Sequence, residues 1–200
     1  MLNPFRVLIY SACLSAATTA AHADWRPQER IEHYQVRGTT GIELYQSIGA
    51  NGPRIGAGNV IAYTDFRLLW SRDYRPQPDG SCKLVTARPN LTITYRLPKA
   101  SGSMPAATKE LWDRFIKGVT VHERVHGDII VDMVREIEKV SVGLSAPNDP
   151  DCKKVRAALQ AKLGPISERQ RARSRDFDRV EMSNGGNVHR LVLDLVNGDG

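Results

Sequence analysis

His122-Glu123-Arg124-Val125-His126 sets two imidazoles four residues apart with a carboxylate beside the first. On a helix, residues i and i+4 share a face with their Cβ atoms about 6 Å apart. Both rings can then reach one tetrahedral Zn²⁺ ion. Glu123 lies about 100° round the helix from His122. There it can accept a proton from water that the metal activates and act as general base and later as general acid. Hydrolysis of a peptide or similar carbonyl substrate is the chemistry this pattern implies.

The motif needs a helix, and the sequence supplies one. Leu111, Phe115, Val119, His122, His126, Ile129, Ile130, Met133 and Ile137 recur at three- and four-residue steps, and no proline falls between Ala106 and Ala146. Ser103 or Thr108 can cap the start, and Gly143 and Pro147 supply the stop. The histidines replace apolar residues on the buried stripe, and polar groups buried there require partners. The half before this helix reads as strands. Glu32–Val36 is a short strand. Thr39–Leu44 starts a short helix with a threonine cap, broken at Asn51-Gly52-Pro53. Ala62–Trp70 alternates mostly polar and mostly apolar positions, and Val85, Ala87, Leu91, Ile93, Tyr95 and Leu97 share one parity, with a bulge expected at Pro89-Asn90. Pro76, Pro78 and Asp79-Gly80 turn between these two, so they read as an antiparallel hairpin. Residues 152–182 read as helical and strongly basic, split in two by Gly164-Pro165. The expected fold is therefore α+β: an antiparallel sheet in the N-terminal half, packed against the long motif helix and a helical C-terminal part.

A catalytic zinc site needs a third protein ligand. Asp128 points away from the motif face. From the helical rise, Asp132 lies about 9 Å and Glu136 about 15 Å along the axis from His126. The ligand must come from another element. Asp178 and Glu181, one turn apart on a downstream helix, are the first and second candidates, followed by His189 and His33. Tyr63, Tyr95 and Arg96 are available to line a groove, although nothing in their spacing requires it.

The chain has 200 residues, 41% hydrophobic and 25% charged, which fits one domain with tails and excludes a disordered chain or a polytopic membrane protein. Residues 1–23 read as a signal peptide. Arg6 precedes an uncharged run from Val7 to Ala21, and Ala21-His22-Ala23 is an A-x-A cleavage signature, so the mature chain is expected to begin at Asp24. The chain is then exported, periplasmic or secreted, with no integral membrane span after signal removal. Losing Arg6 takes the net charge from +6 to +5, and losing Cys13 leaves Cys82 and Cys152, which in an exported chain most simply form one disulfide. Residues 24–183 form the single expected domain and 184–200 a C-terminal tail, a docking strand or a mobile end. The basic segment from Lys153 to Arg179 has interspersed acids and few aromatics, so it reads as a solvated face rather than a nucleic-acid surface.

Together these features resemble the predicted secreted zinc-dependent proteases of bacteria, a domain of unknown function within the zincin clan. The resemblance spans about residues 30–183 and rests on the H-E-x-x-H helix, the β-rich first half, Cys82 and Cys152, and the late Phe177-Asp178 pair. In that family a Tyr-Asp pair is followed by Thr-x-His-Gly; here Phe177-Asp178 stands for the pair, and Glu181, Ser183 and Asn184 stand where Thr, His and Gly would fall. The resemblance implies a zincin-like fold with one Zn²⁺ per chain at His122 and His126, Glu123 catalytic and a peptide or protein as substrate; Ser183 stands where the family pattern has its histidine, so Asp178 or Glu181 is expected to complete the site. The alternative reading is a non-catalytic envelope protein whose structural or degenerate metal site serves as a binding module. Substrate identity and oligomeric state are not legible.

Overall fold

The computed structural model describes residues 25–198. The expected signal peptide, its cleavage site and Asp24 lie outside the described residues. The chain runs β1 (Gln28–Val36), α1 (Gly41–Asn51), β2 (Arg54–Ile55), β3 (Gly58–Asn59), β4 (Tyr63–Pro76), β5 (Cys82–Ala100), α2 (Ala106–Ser141), β6 (Ser145–Ala146), α3 (Lys153–Met182) and α4 (Asn187–Asn197). This is an α+β architecture.

The main sheet has the order β1-β5-β4, with β6 paired to the start of β5. It is mixed, which corrects the antiparallel expectation: β4 and β6 run antiparallel to β5, but β1 runs parallel to it. Alternation along a strand reports which face is buried and carries no information on a neighbour's direction. Val36 ends β1 opposite Ala100, and Tyr63 starts β4 opposite Arg96, so both lie at the same end of β5. Helix α1 and the small β2-β3 hairpin carry the chain between the two edges there. Thr40 begins α1 in a capping box, its hydroxyl accepting from the Glu43 amide at 3.3 Å while Glu43 Oε2 accepts from the Thr40 amide at 3.3 Å.

The bulge in β5 is displaced from its expected place. Pro89 and Asn90 pair regularly with Trp70 and Leu69, whereas Asp73 faces Thr86 and Tyr74 faces Leu84, leaving Val85 as the extra residue. A single extra residue reverses the parity. Cys82 and Leu84 therefore point inward on even numbers, and Ala87, Leu91, Ile93, Tyr95 and Leu97 on odd ones. Leu91, Ile93, Tyr95 and Leu97 share one core with Phe115, Val119, Ile130, Met133, Val134 and Ile137 of α2. Each such side chain withdrawn from water contributes about 1.5–3 kcal/mol before conformational entropy is counted.

Helix α3 is continuous through Pro165, where a break was expected. A proline removes one backbone hydrogen bond and costs about 3 kcal/mol in a helix interior. Val155, Leu159 and Ile166 are buried on its inner face, and Arg169–Glu136 and Arg173–Asp132 tie it to α2, which holds the helix together across the ring. Pro105, rather than Ser103 or Thr108, occupies the cap position of α2. The expected tail contains α4, which packs on α2 and α1 and buries Val188 and Leu195. A disulfide joins Cys82 to Cys152, pinning the start of β5 to the start of α3 across 70 residues of sequence.

Candidate metal centre

His122 and His126 lie on the inner face of α2 between Val119 and Ile130, midway along its 36 residues. Helix α3 packs antiparallel against it: Asp178 meets His126, Arg173 meets Asp132, and Arg169 meets Glu136. Asp132 and Glu136 are thereby engaged in ion pairs away from the histidines, as their distance along the helix requires. This register brings Asp178 over the motif.

Three atoms converge. His122 Nε2 and His126 Nε2 are 3.2 Å apart, and Asp178 Oδ1 lies 2.8 Å from His126 Nε2 and 3.2 Å from His122 Nε2. Tetrahedral ligands around zinc at its usual bond lengths stand about 3.3 Å from one another, so the triangle has the size of one face of such a shell. The donor set of two imidazoles and one carboxylate also suits zinc chemically. Phe177 closes the site from behind, stacked on His122 with centroids 4.7 Å apart and edge-on to His126 at 5.4 Å.

The other predicted candidates do not meet this point. Glu181 is buried, but its Oε2 is 3.8 Å from His122 Nδ1, on the far side of the ring, and its Oε1 accepts from Asn187 Nδ2 at 2.7 Å. His122 Nδ1 is itself buried without a hydrogen-bond partner. Glu181 thus stands on the Nδ1 side of His122, away from the point where the three atoms converge, and at 3.8 Å it makes no hydrogen bond to the ring. His189 Nδ1 accepts from the Gly185 amide at 3.3 Å, and His33 is exposed on β1; neither belongs to the cluster.

Glu123 is buried beside the histidines and faces β4, where the Thr64 hydroxyl lies 2.6 Å from Glu123 Oε2. Burial pushes the Glu123 carboxyl above its ordinary value, with the Thr64 hydrogen bond and the two histidines opposing. Burial also pushes Asp178 up, but hydrogen bonds from the His122 and His126 rings and their charges outweigh it and hold the carboxyl well below the usual carboxylate range. For His126 burial works against the charged form, yet the Asp178 hydrogen bond and charge prevail and its pKa is raised.

A cavity of about 740 Å³ opens over these groups, walled by β4, α2 and α3. Tyr63 lines it, but Tyr95 lies in the core against Gly127, and Arg96 pairs with Glu32 and Asp65. Sequence reasoning did not find Thr64, because no spacing rule links a strand residue to a helix 59 positions later. Nor did it find Arg175, which lines the cavity one turn before Asp178.

The chain belongs to the family described as bacterial protein of unknown function (DUF922), whose model matches residues 31–186. No curated protein and no solved structure matches the chain. Among the described residues no helix is long and apolar enough to cross a membrane.

Proposed function

We propose that this protein is an exported zinc-dependent hydrolase of the zincin type, acting on peptide bonds. The observation that carries the reading is the convergence of His122 Nε2, His126 Nε2 and Asp178 Oδ1 within 3.2 Å of one another, in a cavity that Glu123 also lines. In this reading His122, His126 and Asp178 hold the ion, and Glu181 supports His122 from behind. A zinc ion bound there supplies a Lewis acid that lowers the pKa of bound water to about 7 and polarises the scissile carbonyl. Glu123 takes the proton of the attacking water at its carboxylate. Thr64 holds that carboxylate through Oε2. As the C–N bond breaks, Glu123 returns the proton to the leaving amine, so the two products carry the elements of water. Burial raises the Glu123 carboxyl above its ordinary value, which favours a group that must both take and return a proton.

The test is Glu123→Gln. Glutamine keeps the shape and leaves the proposed ligands intact but cannot accept the proton, so zinc content stays the same while cleavage falls by about 10²–10⁴. A denatured-protein digest scored by mass spectrometry serves as an unbiased substrate set. Equal cleavage by wild type and variant would refute the role of Glu123. Zinc-loaded wild type that cleaves nothing would favour the binding-module alternative.

A further inference from the structure

The cavity extends well past the three converging atoms, and its two long walls differ in chemistry. On α2, Ile130, Met133 and Ile137 continue the motif face beyond His126. Ile130 is about 6 Å and Ile137 about 16 Å further along the axis, from the helical rise. The facing wall on α3 is polar: Gln170, Arg171, Ser174 and Arg175 line the same space at helical spacing leading up to Asp178. Because α2 and α3 run antiparallel in the register set by Asp178–His126 and Arg173–Asp132, Arg175 stands across from the Ile130 turn, the first turn beyond the site.

The charges of the cavity are nearly all engaged. Asp65 pairs with Arg96 at 3.5 Å, Glu123 is bonded to Thr64, Asp178 lies between the histidines, and Arg171 is bonded to Glu168. Arg175 alone among the described charged residues of the lining has no hydrogen bond or ion pair; it is exposed, and the carboxylate that feels its charge, Glu168, is bonded to Arg171. A guanidinium with five donors, one turn from a hydrolytic centre and opposite an apolar wall, matches a ligand that carries a carboxylate beside an apolar side chain.

We infer that Arg175 forms a carboxylate-recognition subsite and that the substrate carries a carboxylate within a few residues of the bond that is cut, with an apolar side chain against Ile130 and Met133. The carboxylate belongs either to an acidic side chain or to a free C-terminus. This inference rests on the hydrolase reading for its reference point, but its binding step is measurable without turnover.

The experiment uses the zinc-loaded, full mature chain carrying Glu123→Gln to capture peptides from an equimolar random octapeptide library, offered once with free C-termini and once amidated. Arg175→Gln, Arg175→Glu and the control Arg179→Gln are added singly to this background. Arg179 is exposed and paired with Asp176, and it is not part of the cavity wall. The parent and the Arg179→Gln protein enrich carboxylate-bearing peptides about tenfold over neutral ones, Arg175→Gln abolishes the preference, and Arg175→Glu turns it toward lysine and arginine. Enrichment of acidic residues in the amidated library assigns the carboxylate to a side chain; enrichment only with free C-termini assigns it to the chain end. Recovery of no peptide, recovery that prefers neither acidic residues nor free C-termini over amidated ones, or equal selection by Arg175→Gln overturns the inference. Cleavage by wild type that ignores charge would overturn it while leaving the hydrolase reading standing. Charge-selective capture with no cleavage by wild type would do the reverse.

Discussion

Gly127 follows His126 directly, in the middle of a long helix, where glycine costs about 1 kcal/mol relative to alanine. Its place is explained by Tyr95, which crosses the helix at this point. A Cβ built on Gly127 would stand 2.2 Å from the Tyr95 hydroxyl oxygen, 3.1 Å from Cζ and 3.3 Å from Cε1. Tyr95 is 3% exposed on the central strand, so its ring has little room to retreat. Its hydroxyl also donates to Glu29 Oε1 at 3.2 Å, a bond that displacement would break. Overpacking of this kind costs about 1–3 kcal/mol and the lost hydrogen bond about 1 kcal/mol. Against the gain of about 1 kcal/mol in helix propensity, Gly127→Ala is expected to destabilise the protein by about 2 kcal/mol, or about 4–8 °C in Tm for a chain of this size. The worst overlap is with the hydroxyl alone. The double variant Gly127→Ala/Tyr95→Phe should therefore be more stable than the sum of its parts by about 1–2 kcal/mol. Urea and thermal unfolding of the four proteins measure the cycle. A Gly127→Ala protein as stable as wild type, or strict additivity, would refute this account of the glycine.

Three further expectations follow from individual contacts. Reducing Cys82–Cys152, or replacing both cysteines by alanine, should cost about 4 kcal/mol because the bridge closes 70 residues, and urea unfolding with and without reductant measures it. Thr64→Val should lower kcat about 10-fold or more with little change in zinc content, since it frees the Glu123 carboxylate without touching the three converging atoms; an unchanged kcat would deny Thr64 a positioning role. The pH dependence should differ in sign with and without metal. His126 has a pKa raised above its ordinary 6.5, so in metal-free protein its pairing with Asp178 stabilises the fold below that value, and the contribution fades as pH rises through the folded value. Zinc requires the neutral ring, so its apparent affinity should instead rise with pH over the same window, by up to about tenfold per unit. Thermal unfolding of both forms between pH 5 and pH 8, about the interval in which histidine titrates, checks both signs.

The parts of the fold written in periodicity were legible and the parts written in register were not. The apolar stripe from Leu111 to Ile137 located the buried face of α2, and alternation located β4 and β5. The cysteine count led to the Cys82–Cys152 bridge. Pairing direction was hidden because a strand buries the same face beside a parallel or an antiparallel neighbour, and β1 proved parallel. The Gly164-Pro165 pair carries a strong breaker signal, yet burial of Leu159 and Ile166 and two ion pairs to α2 override it. In the candidate centre, helical spacing singled out His122, Glu123 and His126. The sequence ranked Asp178 ahead of Glu181, His189 and His33 for the third position, but spacing alone could not separate Asp178 from Glu181, which lie on one face of α3. What separates them is the offset between α2 and α3: Asp178 falls opposite His126, and Glu181 falls behind His122. Thr64 and Arg175 reach the cavity only through tertiary packing, which local spacing does not encode.

The central claim is that His122, His126 and Asp178 bind one zinc ion. Elemental analysis of purified mature protein, followed by titration of the metal-stripped chain with zinc, tests it most directly when wild type is compared with His122→Ala, Asp178→Ala, Asp176→Ala and Glu181→Gln. The account predicts about one zinc per wild-type chain, loss in His122→Ala and Asp178→Ala, and retention in Asp176→Ala, whose side chain pairs with Arg179 instead. Glu181→Gln should keep the ion with affinity weakened about 10–100-fold, as befits an outer partner. Folded wild-type protein that takes up no zinc, or equal effects of Asp178→Ala and Asp176→Ala, would contradict the assignment.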